Sequence, residues 1–351
     1  MRPILYAKNL KWKVSNKDIL DIQSLEIYEH ERLALIGPNG SGKSSLLKIL
    51  SFLENPTQGE LRAYFLEDRK SLIEKRRNIA AVFQEPLLLN MSVEDNIGYG
   101  LKLRGIKKDR SEKIRYWLDR LSISHLKDRH PRNLSGGEAQ RVSIARAMIL
   151  EPKILFLDEP FSALDSPTKS QLLSELSQII KEANITTVFI THDFSEIPFM
   201  ADKVAVMYGG KIVQRGTVED VFYRPANDEV AELVGADIKL SGYMIEDSRV
   251  SLEYGLFLDL PQNSSSITNS EVKCYIRPED VMLGKGISNN FTGKIVAISP
   301  YGLNYKVTLS CPLPISVILD KQKFINLKPE INNLLDINIP KNSIHITQLQ
   351  E

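Results

Sequence analysis

The 351-residue chain is long enough for two domains, and its formal net charge of +1 gives no strong field that would favour nucleic acid or an anionic membrane. Its two cysteines, Cys274 and Cys311, are far apart in sequence and form no CxxC motif, which argues against a disulfide framework or a zinc site and fits a reducing compartment. The N-terminus lacks the long apolar core of a signal peptide, and no apolar run approaches the length of a bilayer span.

The first predicted elements are two half-buried strands, residues 3–14 and 22–28, in which apolar and polar residues alternate. By this alternation Trp12 and Val14 fall on the same face of the first strand. Residues 33–36 are apolar throughout and predict a third, buried strand.

A glycine-rich stretch follows the third strand and opens into a helical pattern. It consists of Gly37, Pro38, Asn39, Gly40, Ser41, Gly42, Lys43, Ser44 and Ser45. Strand, glycine loop and helix are the context of a P-loop, in which backbone amides and the helix N-terminus surround phosphate. Lys43 would reach the β- and γ-phosphates, and Ser44 would offer its hydroxyl to Mg²⁺. The alternative interpretation is an ordinary glycine-rich turn.

A compact apolar run at 79–83 predicts another buried strand, which ends at Gln84. Residues 87–130 are rich in Leu, Lys, Arg, Asp and Glu, and their apolar residues have helical spacing. We therefore expect a mostly helical insert here, as part of a helical subdomain that extends to about residue 150. Within it, residues 134–138 read Leu-Ser-Gly-Gly-Glu. Ser-Gly-Gly before a helical pattern predicts a second helix N-terminus able to face phosphate, or else an ordinary serine-capped helix.

The run 154–157 is a predicted buried strand that ends in Asp158 and Glu159. Acids at the carboxyl edge of a central strand lie where α/β sheets place their chemistry, so one would serve Mg²⁺ and the next the attacking water. Solvated loop acids are the alternative. Asp165 precedes a predicted helix at 167–182, and the strand 186–190 leads to His192, which is either functional or structural.

A hairpin is predicted around residues 204–213, and a helix near 217–234 should close the first domain. Beyond Gly235 the chain becomes a series of short alternating runs separated by turn residues. We therefore expect two domains, residues 1–235 and 236–351, the second a small all-β barrel without a catalytic cluster.

Taken in order, the P-loop, Gln84, the 134–138 sequence, the acid pair, Asp165 and His192 resemble the nucleotide-binding subunit of ABC transporters. The Leu-Ser-Gly-Gly-Glu sequence separates that family from other P-loop ATPases, and the resemblance covers about residues 3–235. It implies an α/β P-loop NTPase fold with a helical subdomain at about 87–150, followed by an all-β barrel that resembles an oligomer-binding fold.

The resemblance also implies roles for individual residues around ATP and Mg²⁺. Lys43 and the loop amides hold the phosphates, Glu159 acts as general base, and His192 contacts the γ-phosphate. The implied metal ligands are Ser44, Gln84 and Asp158. Two subunits pair head to tail, so that the helix start formed by Ser135, Gly136 and Gly137 of one subunit closes over the ATP of the other, with Asp165 at the seam. The family stacks adenine on an aromatic residue where this chain has Val14, so Trp12 is the substitute candidate.

The tail carries a second resemblance. Residues 276–281 resemble the start of the TOBE-type barrel of importer ATPases for oxyanions, iron, sugars and polyamines. Asn289, Phe291, Gly293 and the run 343–346 are similar to molybdate- and tungstate-binding barrels. Of the Ser-Ala-Arg-Asn run of those barrels, this chain keeps Asn289.

These resemblances imply an ATP-hydrolysing subunit of an ABC importer, working as a homodimer with transmembrane permease subunits at the cytoplasmic face of the membrane and indirectly with a solute-binding protein. Tungstate or molybdate is the preferred substrate class; ferric iron, sulfate, polyamines and sugars are alternatives. The alternative from another class is a soluble ABC ATPase of translation or DNA repair. Such proteins usually fuse two ATPase domains or carry a long coiled coil, and this sequence shows neither pattern. The tail has no basic groove with interleaved aromatics, so no nucleic-acid partner is expected.

Overall fold

The computed structural model describes residues 3–15, 17–65, 71–246, 248–261 and 270–348. Contacts divide the chain into two compact units, with the boundary between Val218 and Glu219. None of the helices within the described ranges is long and apolar enough to cross a membrane.

The first unit mixes strands and helices. Its strands are β1 (Pro3–Val14), β2 (Lys17–Tyr28), β3 (Arg32–Ile36), β4 (Gln58–Ala63), β5 (Ile79–Val82), β6 (Ile154–Asp158), β7 (Thr186–Ile190), β8 (Lys203–Tyr208) and β9 (Lys211–Thr217). Its helices are α1 (Lys43–Leu50), α2 (Leu72–Arg77), α3 (Val93–Leu103), α4 (Arg110–Arg120), α5 (Gly136–Met148), α6 (Ser166–Ala183) and α7 (Ile197–Met200).

A mostly parallel sheet in the order β5-β6-β7-β3-β8-β9 forms the centre of this unit. The first five strands in this order, including β3 between β7 and β8, pair in parallel, and β9 returns antiparallel to β8. Their apolar runs are almost completely buried, as expected for strands covered on both faces. Because the carboxyl ends of parallel strands meet at one edge, the segments that follow β3, β5, β6 and β7 come together there.

A second, antiparallel sheet in the order β2-β1-β4 packs over α1 and the parallel sheet through a shared apolar core. Leu5 and Ile22 come from this sheet, Leu46 from α1, and Phe156 and Val188 from the parallel sheet. β4 was not predicted, because its residues are mostly polar and exposed and its strand conformation depends on pairing with β1.

The helical insert agrees with its prediction: α3, α4 and α5 follow β5 and precede β6. The helix α2 was not predicted, although Ser71 and Glu74 form a capping box at its start. A six-residue helix without a buried side chain has too weak an apolar pattern to be detected.

The second unit is an antiparallel β domain with three short helices in its described residues. Its strands are β10 (Ile238–Glu246), β11 (Arg249–Leu252), β12 (Phe257–Asp259), β13 (Glu271–Ile276), β14 (Met282–Leu283), β15 (Asn290–Tyr301), β16 (Asn304–Cys311), β17 (Leu313–Leu319), β18 (Leu334–Asn338) and β19 (Ile344–Gln348). The helices are α8 (Val218–Tyr223), α9 (Asp228–Leu233) and α10 (Lys321–Leu327).

Two five-stranded sheets, β12-β11-β10-β13-β19 and β14-β18-β15-β16-β17, enclose one core in this unit. Leu240 and Cys274 reach it from the first sheet, and Leu309 and Ile337 from the second. The predicted all-β, oligomer-binding-like architecture is confirmed. The short helix α10 was not predicted.

The region predicted as one helix at 217–234 differs from the prediction. It forms α8 and α9, and both have their contacts within the second unit, so the contact boundary lies earlier than residue 235. The Tyr275 hydroxyl donates to Asp228 Oδ1 at 2.8 Å, and Arg277 donates to the Phe222 carbonyl at 2.8 Å. An amphipathic pattern indicates that a face is buried but does not say which sheet buries it.

Candidate nucleotide-binding site

The glycine loop joins the end of β3 to the start of α1. Lys43 begins the helix, and its Nζ folds back to donate to the carbonyls of Gly37 at 2.8 Å and Pro38 at 3.0 Å. Burial lowers the pKa of Lys43, and the Glu159 and Asp158 carboxylates oppose that shift. The ammonium group is therefore fixed at the mouth of the loop, where it can meet a phosphate.

The hairpin of β8 and β9 supports the loop from behind. A Cβ atom at Gly37 would lie 2.1 Å from the Met207 carbonyl oxygen, so no other residue fits without moving backbone. The amide of Gly210 donates to the Ser41 carbonyl at 3.2 Å. Ser41 itself is buried, and its Oγ has no hydrogen-bond partner among the described residues. A buried hydroxyl without a partner inside a phosphate-type loop fits a bound nucleotide phosphate.

Ser44 and Asp158 form the second part of the site. The Ser44 hydroxyl donates to Asp158 Oδ1 at 3.1 Å. Burial raises the pKa of Asp158; the Ser44 bond opposes the shift and the neighbouring Glu159 charge adds to it. In the described ranges, no group of three or more His, Cys, Asp or Glu side chains is arranged so that it could hold a metal ion by itself. The oxygen donors present, with Gln84 exposed just beyond β5 at the same edge, suit Mg²⁺ completed by phosphate oxygens.

Glu159 turns away from the end of β6 in a left-handed conformation, with φ of 47°. Such a backbone is uncommon for a residue with a side chain, and it is held here by bonds on both sides. The Glu159 amide donates to the Ile190 carbonyl at 3.1 Å, and Ser162 Oγ donates to the Glu159 carbonyl at 3.0 Å. As a result Glu159 Oε2 lies 3.2 Å from Nδ1 of His192, which follows β7.

The residues predicted to act in trans form a separate group. The Ser135 amide and side chain bond reciprocally with Glu138 in a capping box, and the bond from the Ser135 amide lowers the pKa of Glu138. Gly136 faces the Ala163 carbonyl, and Asp165 caps α6 through the Thr168 amide. None of the hydrogen bonds that the described structure shows for these residues reaches the P-loop of the same chain.

The two adenine candidates have different surroundings. Trp12 is partly buried and packs against the core between the sheets. Val14, at the end of β1, is 45% exposed. The pairing register of β1 with β2 shifts between Trp12 and Lys13, and the extra residue, Ile19, lies in β2. The adenine contact stays a prediction.

Sequence reasoning missed several residues that shape the site. Ser162 holds the Glu159 backbone, and the turn at Gly210 braces the P-loop. Lys169 binds the segment that carries His192. The acidic residues shortly after His192 suggest that a cation lies nearby. Lys169 could be identified as that cation only by knowing that α6 packs beside the segment after β7.

A glycine loop, a buried lysine and an acid pair at the carboxyl edge of a parallel sheet define a P-loop nucleotide-hydrolysing protein. Residues 20–162 match the family described as ABC transporter. The molybdate/tungstate import ATP-binding protein WtpC of Pyrococcus horikoshii is 37% identical over 82% of this chain and 83% of its own. The spermidine/putrescine import ATP-binding protein PotA of Clostridioides difficile is 36% identical over 88% of each. The chain belongs to the ABC transporter family, as an ATP-hydrolysing subunit of the importer type.

A solved structure extends the comparison to the fold. The ATP-binding cassette MJ0796, described as a dimer in a post-hydrolysis state bound to ADP and Pi, has a TM-score of 0.56 and 28% identity. The similarity covers 61% of this chain and 98% of that one.

Proposed function

We propose that this subunit works as a homodimer on transmembrane permease subunits, at the cytoplasmic face of the cell membrane, and powers uptake of a small solute delivered by a solute-binding protein. The observation that carries the proposal is the placement of Glu159 and His192 beside Lys43 and the pair Ser44–Asp158. Phosphoryl transfer needs positioning and charge neutralisation, and this set supplies both.

Each residue of the first group has one task in the proposal. Lys43 and the loop amides bind the β- and γ-phosphates. Glu159 takes the proton of the attacking water as general base, and His192 holds the γ-phosphate and the Glu159 carboxylate in register. Ser44, Asp158 and Gln84 would hold Mg²⁺, which when bound neutralises phosphate charge.

The second group supports a head-to-tail dimer. Ser135 to Gly137 begin α5, whose N-terminus suits phosphate, and Asp165 caps the neighbouring helix α6. Because their hydrogen bonds in the described structure do not reach their own P-loop, we assign them to the ATP of the partner subunit.

Tungstate or molybdate is the substrate class we propose, supported by the name of the WtpC relative. The polyamine importer PotA has nearly the same identity, so sequence similarity alone does not separate an oxyanion from a cation. The barrel of this chain gives no support for direct oxyanion binding. Asn289 Oδ1 accepts from the Asp259 amide at 2.7 Å, and Nδ2 donates to the carbonyls of Asp259 and Ile339. The side-chain amide of Asn289 is thus already hydrogen-bonded within the barrel and is not free to bind an oxyanion. We assign the barrel a stabilising or regulatory role.

Replacing Glu159 with Gln tests the catalytic assignment. The variant should bind Mg²⁺ and ATP and form a dimer that persists with ATP, while turnover falls on the order of 10²–10⁴-fold because the base is lost. Lys43→Ala should instead lose productive ATP binding, and Glu151→Gln, an exposed acid outside the site, should match wild type. Normal hydrolysis by Glu159→Gln would refute the role of Glu159, and normal turnover by Lys43→Ala would refute the P-loop assignment.

The substrate assignment needs the intact importer. The subunit is reconstituted with its permease in vesicles, and ATP turnover is measured with the solute-binding protein and tungstate, molybdate, sulfate, ferric iron, a sugar or spermidine. We expect stimulation by tungstate or molybdate. Stimulation by spermidine or another of these solutes, with no response to the two oxyanions, would overturn the assignment and leave the ATPase role intact.

A further inference from the structure

Lys169 lies in the first turn of α6 and connects that helix to the segment after β7. Its amide donates to the Asp165 carbonyl at 2.9 Å, which places it one turn beyond the cap of α6. Its Nζ lies 2.6 Å from Asp193 Oδ2 and 2.5 Å from Glu196 Oε1. One ammonium group therefore bridges two carboxylates that lie one and four residues after His192 in sequence.

The burial of this cluster makes it more than a surface ion pair. The Glu196 side chain is 4% exposed, and Lys169 is 20% exposed. A buried carboxylate is strongly unfavourable without a paired cation, so the position of Glu196 depends on Lys169. Asp193 adds local order, because its carboxylate accepts from the Ser195 amide at 2.9 Å and the Ser195 hydroxyl at 2.6 Å.

His192 stands at the start of this anchored segment. Its side chain is 61% exposed, so packing around the ring does little to fix it. Its contact with Glu159 at 3.2 Å depends mainly on where the backbone of residues 191–193 is held. That backbone is fixed on one side by β7 and on the other by the bonds of Asp193 and Glu196 to Lys169.

We propose that Lys169 is a positioning residue for ATP hydrolysis, which holds the 191–196 segment so that His192 meets Glu159. The inference rests on the proposed roles of His192 and Glu159, and it has Lys169 act through this segment rather than on ATP. It also makes α6 the physical link between His192 and Asp165, which is assigned to the subunit seam.

The test is a double-mutant cycle between Lys169 and His192, read as kcat and KM for ATP in single- and multiple-turnover assays on the full chain. Lys169→Met should lower kcat on the order of 10²-fold, with little change in KM, because small misplacements of catalytic groups have effects of that size. In the His192→Ala background the same change should have almost no further effect, since the group it positions is gone.

Lys169→Met leaves the buried Glu196 carboxylate without its cation, so this variant could lose turnover simply because it is less stable. The double variant Lys169→Met/Glu196→Gln removes both charges, and thermal unfolding shows whether it is folded; it should have the same low kcat. Lys169→Arg should recover most of the turnover, because a guanidinium group can bridge both carboxylates. Ser177→Ala is the matched control: Ser177 Oγ also ties α6 to this region, through the Phe199 carbonyl at 2.6 Å, but away from His192.

The outcomes separate the two assignments. Wild-type kcat for a folded Lys169→Met/Glu196→Gln chain, together with a slow His192→Ala, would overturn the positioning role and leave the proposed function standing. An equal loss from Lys169→Met with and without His192 would also overturn it, because Lys169 would then act by another route. Wild-type turnover by His192→Ala would refute the role of His192 and with it this inference.

Discussion

At the residue scale, Asp193 links the chemistry of the site to its stability. Burial alone would raise the pKa of Asp193, but bonds from Lys169 and Ser195 outweigh it and lower the pKa to about 2. A folded pKa below the unfolded value means that the carboxylate stabilises the fold above the unfolded pKa, near 4, and that this contribution is lost as the pH falls towards 2.

Asp193→Asn should therefore be less stable than wild type at neutral pH, and the difference should shrink as the pH falls from about 4 towards 2. Urea unfolding of both proteins across this pH range measures it. Asp18→Asn, in an exposed pair with Lys13, is the control and should change stability little at any pH. A difference between Asp193→Asn and wild type that stays constant with pH would contradict the assigned ionisation.

Sequence reasoning could propose candidate phosphate-site residues because each lies in a short contiguous motif after a recognisable apolar strand. Residues 37–44, Asp158, Glu159 and His192 need no long-range information beyond the order of parallel strands. The Lys169–Glu196 pair was out of reach, because its two residues meet only when α6 packs beside the segment after β7. The register shift opposite Trp12 could not be predicted either, because it depends on how β2 pairs with β1.

At the element scale, the contact between α5 and α6 explains Gly137 without reference to ATP. A Cβ at Gly137 would lie 2.8 Å from Thr168 Cγ2, whereas one at Gly136 would make an ordinary contact at 3.7 Å with the Ala163 carbonyl. The two glycines of the 134–138 sequence thus have different steric surroundings.

Gly137→Ala should lower the free energy of unfolding by about 1–3 kcal/mol, the usual range for overpacking. Adding Thr168→Ser should recover most of the loss, because serine removes Cγ2 and keeps a hydroxyl for Asp165. Gly136→Ala is the matched control and should be neutral or slightly stabilising in its helix. Denaturant unfolding measures the stability of wild type, Gly137→Ala, Gly137→Ala/Thr168→Ser and Gly136→Ala. A Gly137→Ala chain as stable as Gly136→Ala would contradict the packing argument.

Elements with strong periodicity were predictable, including the buried strands of the parallel sheet and α6. Elements that depend on tertiary partners were not. β4 is a polar strand formed by pairing with β1, and α10 has no fully buried side chain. The pattern at 217–234 showed a buried face, yet Asp228 and Phe222 find their partners on the β domain.

At the scale of the whole molecule, the position of α8 and α9 changes how the chain should be divided. Val230 and Ala231 are fully buried, and Ala231 packs with Tyr275 of the second unit. A chain ending at Gly235 keeps α9 but loses Tyr275, whereas a chain ending at Val218 keeps the nucleotide unit and neither helix in full.

We expect the chain ending at Val218 to be more soluble than the chain ending at Gly235, and we expect soluble material of either to retain ATP turnover. Size-exclusion chromatography and ATPase assays test both expectations. A folded chain ending at Val218 that binds ATP without hydrolysing it would show that the barrel contributes to catalysis rather than to stability or regulation.

The head-to-tail dimer is tested by mixing Lys43→Ala and Ser135→Arg chains. Each homodimer has two spoiled sites. If Ser135 acts on the partner's ATP, one site of the mixed dimer takes both defects and the other takes none, so one ATP per dimer should be trapped. If Ser135 acts within its own chain, each site takes one defect. Isolated mixed dimers that trap no more ATP than either parent would refute the trans arrangement.

The close approach of Gly37 to the Met207 carbonyl has a consequence for the evolutionary history of such chains. A duplicated copy that lost Glu159, and with it hydrolysis, would still need glycine at position 37 for the loop to pass its neighbouring backbone. The glycine pattern can therefore outlive the activity and mark architecture in degenerate copies. The residues at the positions of Glu159 and His192 would indicate whether a descendant still hydrolyses ATP. A survey that counts glycine loops alone would therefore include inactive copies among active ATPases.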